Sequence, residues 1–323
     1  MTESATHVRR LGPDIWLLDT VFQGAPGVIA SYLLTGPSGL ALVDVGSAAT
    51  IDQLLANIRA TGHAPEEVEH ILLTHIHLDH AGATGALLPY MPHARVYVHR
   101  IGAPHLINPE KLITSASRIY GDKMQTLWGT MVPVPEERIS LLDEGVETRV
   151  GERTLTALYT PGHAIHHVAF HDPIHAAIFP GDVAGVRLED IDYVRPPTPP
   201  PDLNLEDWSA SIERLRALQP ETLYLPHFGP TVGSDRHFTE LRDRLYAWGE
   251  IVARGMRKGE DDQQLARDLA ASADPDVARV AATSDGATAD EAVRRYELAT
   301  NYLMSAQGYM RYYSKIHPEA LAD

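Results

Sequence analysis

Apolar residues along this chain fall in two patterns. Up to about residue 230 they form short runs closed by turn residues; beyond Gly233 they recur at helical spacing. The first pattern predicts strands near 15–20, 28–35 and 40–44, a helix near 48–60, and helices near 82–90 and 206–218. Three later runs repeat one device. Thr154-Leu155-Thr156-Ala157-Leu158-Tyr159 ends in Thr160-Pro161-Gly162-His163, Ala176-Ala177-Ile178-Phe179 in Pro180-Gly181-Asp182, and Thr222-Leu223-Tyr224-Leu225 in Pro226-His227-Phe228-Gly229. Each is a strand whose closing turn presents a histidine or an aspartate.

A fourth run carries more. Ile71-Leu72-Leu73-Thr74 leads into His75-Ile76-His77-Leu78-Asp79-His80, and residues 81–88 then predict a helix. On an extended strand end His75 and His77 share one face, since the strand repeat is two. Asp79 and His80 sit on the turn into the helix. Three imidazoles and a carboxylate packed this closely converge on one point only around a metal. With His163, Asp182 and His227 the donors number seven, too many for one tetrahedral ion and enough for two that share a bridging carboxylate. Imidazole nitrogen and carboxylate oxygen suit zinc first, with iron or manganese as alternatives; the chain has no cysteine, which excludes a thiolate site and any disulfide.

These motifs, in this order over residues 10–235, resemble the metallo-β-lactamase superfamily. The resemblance implies an α/β fold, an αββα sandwich of two packed sheets with helices outside. It implies that His75, His77 and His163 hold one divalent metal ion, that Asp79, His80 and His227 hold another, and that Asp182 bridges both. It further implies that Asp44, at the end of the run Leu40-Ala41-Leu42-Val43, accepts the second ring N–H of a ligating histidine. The chemistry implied is hydrolysis: a hydroxide bridging the metals attacks an ester, thioester or lactone carbonyl, with Asp79 positioned to take its proton.

Among the implied substrates are thioesters such as hydroxyacylglutathione and lactones such as acyl-homoserine lactones. Many lactonases of the family carry a tyrosine three residues after the bridging aspartate, where this chain has Gly185; Tyr193 and Tyr120 are the available replacements. The glyoxalase II branch ends in helices that bind glutathione, and this chain ends in helices bearing Arg311, Tyr312 and Lys315. The other classes considered are a sulfur dioxygenase with one iron at the first three histidines, a nuclease and a non-catalytic binding protein. A net charge of -16, from 43 acidic and 27 basic residues, disfavours a nuclease, because no basic stripe gathers phosphates.

The expected partner is therefore a small-molecule substrate, not nucleic acid and not a membrane. The first ten residues lack the apolar stretch of a signal peptide, and the expected location is the cytoplasm.

Organisation follows the two apolar patterns: a catalytic domain over 1–235 and a helical extension over 236–323. Two long connections, 101–142 and 185–204, are expected to shape the pocket. The first carries Leu112, Ile113, Ile119, Met124, Leu127 and Trp128 at near-helical spacing. The second contains a stiff Arg195-Pro196-Pro197-Thr198-Pro199-Pro200-Pro201 run that leaves the Asp182 turn, so Arg187, Tyr193 and Arg195 are expected near the metals. In the extension a helix starts over 239–248, Ala273-Asp274-Pro275 and Ser284-Asp285-Gly286 punctuate the chain, and 289–315 reads as one helix. Its stripe of Tyr296, Ala299, Leu303, Ala306, Met310 and Tyr313 is read as packing, on the sandwich or across a homodimer.

Overall fold

The computed structural model of this 323-residue chain describes residues 7–37, 39–283 and 288–322; the Ser284-Asp285-Gly286 turn expected above lies outside the described residues. Its strands form two sheets. The first runs in chain order through β1 (Val8–Arg10), β2 (Ile15–Asp19), β3 (Ala30–Gly36), β4 (Gly39–Val43), β5 (Val68–Leu72), β6 (Arg95–His99) and β7 (Ile139–Leu142). The second contains β8 (Glu147–Val150), β9 (Arg153–Tyr159), β10 (Val168–Asp172), β11 (Ala177–Phe179), β12 (Thr222–Leu225) and β13 (Gly229–Thr231).

Two compact units result: residues up to Tyr159 with Val168–Phe179, and Thr160–His167 with the chain from Pro180 onward. In the first unit β1 to β4 pair antiparallel, and β4, β5, β6 and β7 pair parallel. The central parallel strands bury most of their side chains, Ala41, Leu42, Ile71, Leu72 and Val96 among them. A parallel strand covered on both faces reads as a continuous apolar run for that reason. β8 to β11 pair antiparallel and face the first sheet through Tyr32, whose ring meets Phe179 edge-on at 5.5 Å. At Gly36 the backbones close up, for a Cβ there would lie 2.4 Å from the Cα of Gly151.

The strands expected near 15–20, 28–35, 40–44, 154–159, 176–179 and 222–225 are all present, each within about two residues of its expected ends. The helix expected near 48–60 is a short 3-10 turn followed by Ile51–Ala60. The helix expected over 82–90 differs: helical turns cover Leu78–Ala81 and Thr84–Leu87, so helical backbone begins inside the histidine motif, and β5 already ends at Leu72. The connection 101–142 holds the helices Ala103–Ile107, Glu110–Tyr120 and Met124–Trp128, and its last four residues are the edge strand β7.

The second unit is mainly helical: Leu205–Ala217, Ser234–Arg257, Asp262–Ala281, Ala289–Ala299 and Tyr302–Lys315 pack on one another. Two expectations fail here. Pro275 does not end a helix, because Leu265, Leu269, Ala273, Val277 and Ala281 bury one continuous stripe that carries Asp262–Ala281 through it. The single helix over 289–315 breaks at Thr300, whose φ of -155° is extended; Asn301 then caps the next helix by accepting from the Met304 N–H. The break resets the helical phase. Tyr302, Ala306, Tyr309, Tyr312 and Tyr313 are buried, while Leu303 and Met310 are only half-buried.

Candidate metal centre

The carboxyl ends of parallel β4 and β5 carry the first four donors and the group that orients them. Asp44 follows β4 with a left-handed backbone, φ 52°, a conformation aspartate tolerates better than most side chains. Its carboxylate is buried. Oδ1 accepts the backbone N–H of Thr74 at 2.8 Å, and Oδ2 accepts the Thr74 hydroxyl at 2.8 Å and His80 Nδ1 at 2.9 Å. Thr74 spends its only hydroxyl proton on Asp44, so its oxygen accepts Nδ1–H of His75, 3.0 Å away. One carboxylate thus sets the tautomer of two rings, His80 directly and His75 through Thr74, and leaves Nε2 of each with a lone pair. His75 Nε2 faces His77 Nδ1 at 3.0 Å, and His80 Nε2 lies 3.7 Å from Asp79 Oδ2.

In the second unit the donors are dispersed and held by backbone. The Nδ1–H of His163 donates to the carbonyl of Pro197 at 2.8 Å, which turns Nε2 toward Asp182. The two oxygens of Asp182 serve different rings: Oδ2 is 3.6 Å from His163 Nε2, and Oδ1 is 3.4 Å from His227 Nε2. That division is what a bridging carboxylate requires.

Three residues outside the expected set hold this half in place. His167 accepts the Asp182 backbone N–H on Nε2 at 3.1 Å and therefore donates from Nδ1 to Thr160 Oγ1 at 2.9 Å. Trp208 donates its indole N–H to Val183 O at 2.8 Å, and its backbone packs so tightly on Gly162, φ 130°, that a Cβ there would sit 2.3 Å away. His237 donates to Ala184 O at 2.7 Å, and burial pushes its pKa down to about 4, so the ring is neutral. The available signal for His167 was its place four residues after His163, on the return from the same turn; Trp208 and His237 carried none.

Seven side chains supply ligand atoms in three overlapping groups, each within 4.8 Å: His75, His77 and His163; His75, His80 and Asp182; Asp79, His80 and His227. These groups contain all seven expected donors; the contacts above orient the rings of His75, His80 and His163 and hold the backbone of Asp182. Nitrogen and carboxylate donors of this kind, turned toward each other at spacings a shared cation satisfies, fit divalent metal.

The second connection behaves differently from expectation. Arg195 points into the C-terminal helices, where Glu297 at 3.0 Å, the carbonyl of Thr300 at 3.1 Å and the Tyr302 hydroxyl receive its guanidinium. Tyr193 is buried edge-on against Tyr296 beneath Arg244, and Arg187 pairs with Asp192. The buried partners of Arg195 and Tyr193 lie about a hundred residues on, beyond the reach of local pattern. The connection meets the site through backbone: Arg187 exchanges hydrogen bonds with His227 and Phe228, and the Pro197 carbonyl holds His163. From the first connection, Tyr120 comes within electrostatic reach of Asp79; burial first, and that negative charge second, push its pKa well up.

The sequence profile of the metallo-beta-lactamase superfamily matches residues 24–227. The chain belongs to that superfamily. Its αββα sandwich with C-terminal helices is the superfamily fold. The protein TTHA1429 from Thermus thermophilus, a metallo-beta-lactamase family protein, has a TM-score of 0.67 at 23% identity, covering 95% of each chain. In sequence, this superfamily member is 26% identical over 207 residues to the metallo-beta-lactamase fold-containing protein ST1585 of Sulfurisphaera tokodaii, covering 63% of this chain and 74% of that one. It is 28% identical over 225 residues to the hydroxyacylglutathione hydrolase of Aeromonas hydrophila, covering 65% of this chain and 68% of the relative. No helix among the described residues is long and apolar enough to cross a membrane.

Proposed function

We propose that this chain is a dinuclear metal-dependent hydrolase acting on the ester, thioester or lactone carbonyl of a small molecule in the cytoplasm. The observation that carries the reading is the completeness of the donor set, with the Asp182 oxygens divided between His163 and His227. His75, His77 and His163 would hold one ion, Asp79, His80 and His227 the second, and Asp182 would touch both; zinc suits these donors best, with iron or manganese as alternatives. When bound, such a pair lowers the pKa of water from about 15.7 toward 7 and polarises a substrate carbonyl.

The chain's own residues do the rest. Asp44 fixes the rings of His75 and His80, so no orientation is lost as substrate arrives. Asp79, half-buried beside His80, takes the proton of the attacking water. His167 holds the Asp182 turn by its backbone and, locked in one tautomer, stays out of proton transfer. Similarity to a hydroxyacylglutathione hydrolase supports a thioester, and Gly185 at the position of the lactonase tyrosine ranks lactones lower. The net charge of -16 supports a small molecule over a nucleic acid.

Elemental analysis beside a substrate panel tests this. The expected result is two ions per chain, turnover of a hydroxyacylglutathione or another thioester or ester, and loss of both metal and activity in Asp182→Ala. One iron per chain with oxygen consumption and no hydrolysis overturns it.

A further inference from the structure

Buried N–H groups find acceptors as a rule, and each exception calls for a physical cause. Trp128 is such an exception. It is 8% exposed, and among the described residues nothing accepts its indole Nε1–H. Its ring stacks on Phe22 at 5.3 Å and meets Tyr120 at 5.1 Å with the planes 66° apart, a contact that offers at most a weak N–H···π interaction. A buried donor left unmet costs about 1–3 kcal/mol.

This donor belongs to a wall fixed beside the first half of the metal centre. Gln23 donates to the carbonyl of Thr126 at 3.0 Å, and Ser47, three residues past Asp44, donates to that of Leu127 at 3.4 Å. Gly129, φ 68°, packs where a Cβ would lie 2.7 Å from the backbone of Ala49. The neighbouring Tyr120 phenol stands within the field of Asp79. Around it Leu112, Ile113, Met124 and Leu127 are only half-buried, an apolar surface with few groups to hold a water.

We propose that Trp128 is a specificity-determining residue: its Nε1–H donates to an oxygen of an acyl substrate whose apolar body lies along Tyr120, Met124 and Leu127. The inference rests on the hydrolase reading for its substrate class. It selects apolar-chained acyl compounds over short polar ones, because the unmet Trp128 Nε1–H stands among half-buried apolar side chains.

The test uses metal-loaded full-length protein with 15N-labelled tryptophan. The Trp128 indole resonance is assigned by its absence in Trp128→Phe, a change that keeps the stacked ring and removes the N–H. Phenylacetate, an apolar-bodied acyl product analogue, is titrated against both proteins, and 4-nitrophenyl butyrate hydrolysis is measured in parallel. The expected result is a downfield shift of the Trp128 indole proton, about tenfold weaker phenylacetate binding by Trp128→Phe, and KM raised about tenfold with kcat unchanged. An unmoved resonance together with wild-type binding by Trp128→Phe overturns the proposal. Once the resonance is assigned, the titration of unsubstituted protein needs no turnover, so a shifted resonance without hydrolysis counts against the hydrolase reading and leaves the Trp128 contact to an acyl oxygen standing.

Discussion

The two halves of the donor set are held by opposite means. His75, His77, Asp79 and His80 lie within six consecutive residues, and one buried carboxylate, Asp44, orients two of the rings. His163, Asp182 and His227 are spread over 65 residues of sequence and are held by neutral contacts to backbone: Pro197 O, Val183 O, Ala184 O and the Asp182 N–H. A concentrated support fails all at once, whereas a distributed one degrades in steps.

The largest effect is expected at the concentrated support. Asp44→Ala strands the Thr74 N–H, the Thr74 hydroxyl and His80 Nδ1–H in the interior, at a cost of about 3–5 kcal/mol in urea unfolding of the metal-free protein. Metal affinity should drop about 10–100-fold by chelator competition. Affinity within twofold of wild type would show that no single group governs the first half.

Acid should strain the distributed support next. The folded pKa of His237, about 4, lies below the unfolded value of about 6.5, so the unfolded chain takes up a proton that the native ring refuses. Its contribution is intact above pH 6.5 and is lost as pH falls toward 4, by about 3 kcal/mol in all. Urea titrations at stepwise lower pH should show His237→Asn losing less stability than wild type over that window; parallel curves would remove His237 from the account.

A smaller effect is expected from His167→Gln. The glutamine oxygen still accepts the Asp182 N–H while the tie to Thr160 goes, so metal affinity should weaken by less than about tenfold. A loss as large as that of Asp44→Ala would break the contrast between the halves. Smallest of all is Arg236→Ala, which removes an exposed pair with Asp192, 2.8 Å apart; about 1 kcal/mol or less is expected in unfolding, with metal affinity unchanged.

Much of this was legible because strands end where turns begin. The Pro/Gly closures after β9, β11 and β12 marked His163, Asp182 and His227, and a contiguous motif marked the rest. What stayed hidden depends on partners distant in sequence. The break at Thr300 follows from Asn301 capping and from Arg195 taking the Thr300 carbonyl, 105 residues away. Pro275 looked like a stop, yet tertiary burial of one stripe outweighed the missing N–H. Trp208 and His237 act on backbone carbonyls, which every residue has and no motif advertises.

The caged guanidinium of Arg195 bears on how this chain tolerates shortening. With no exposure at all, it sits between the rings of Tyr296 and Tyr302, 4.9 and 4.1 Å from their centroids, with Glu297 as its counter-charge. A fragment cut before residue 290 would keep the cation and Asp274, 3.7 Å away, but lose Glu297 and both rings, opening the charge to solvent beside the polyproline run. The tail is thus the electrical insulation of a segment whose Pro197 carbonyl aims a metal-facing ring. Stripping it would be felt at His163 without touching a single ligand.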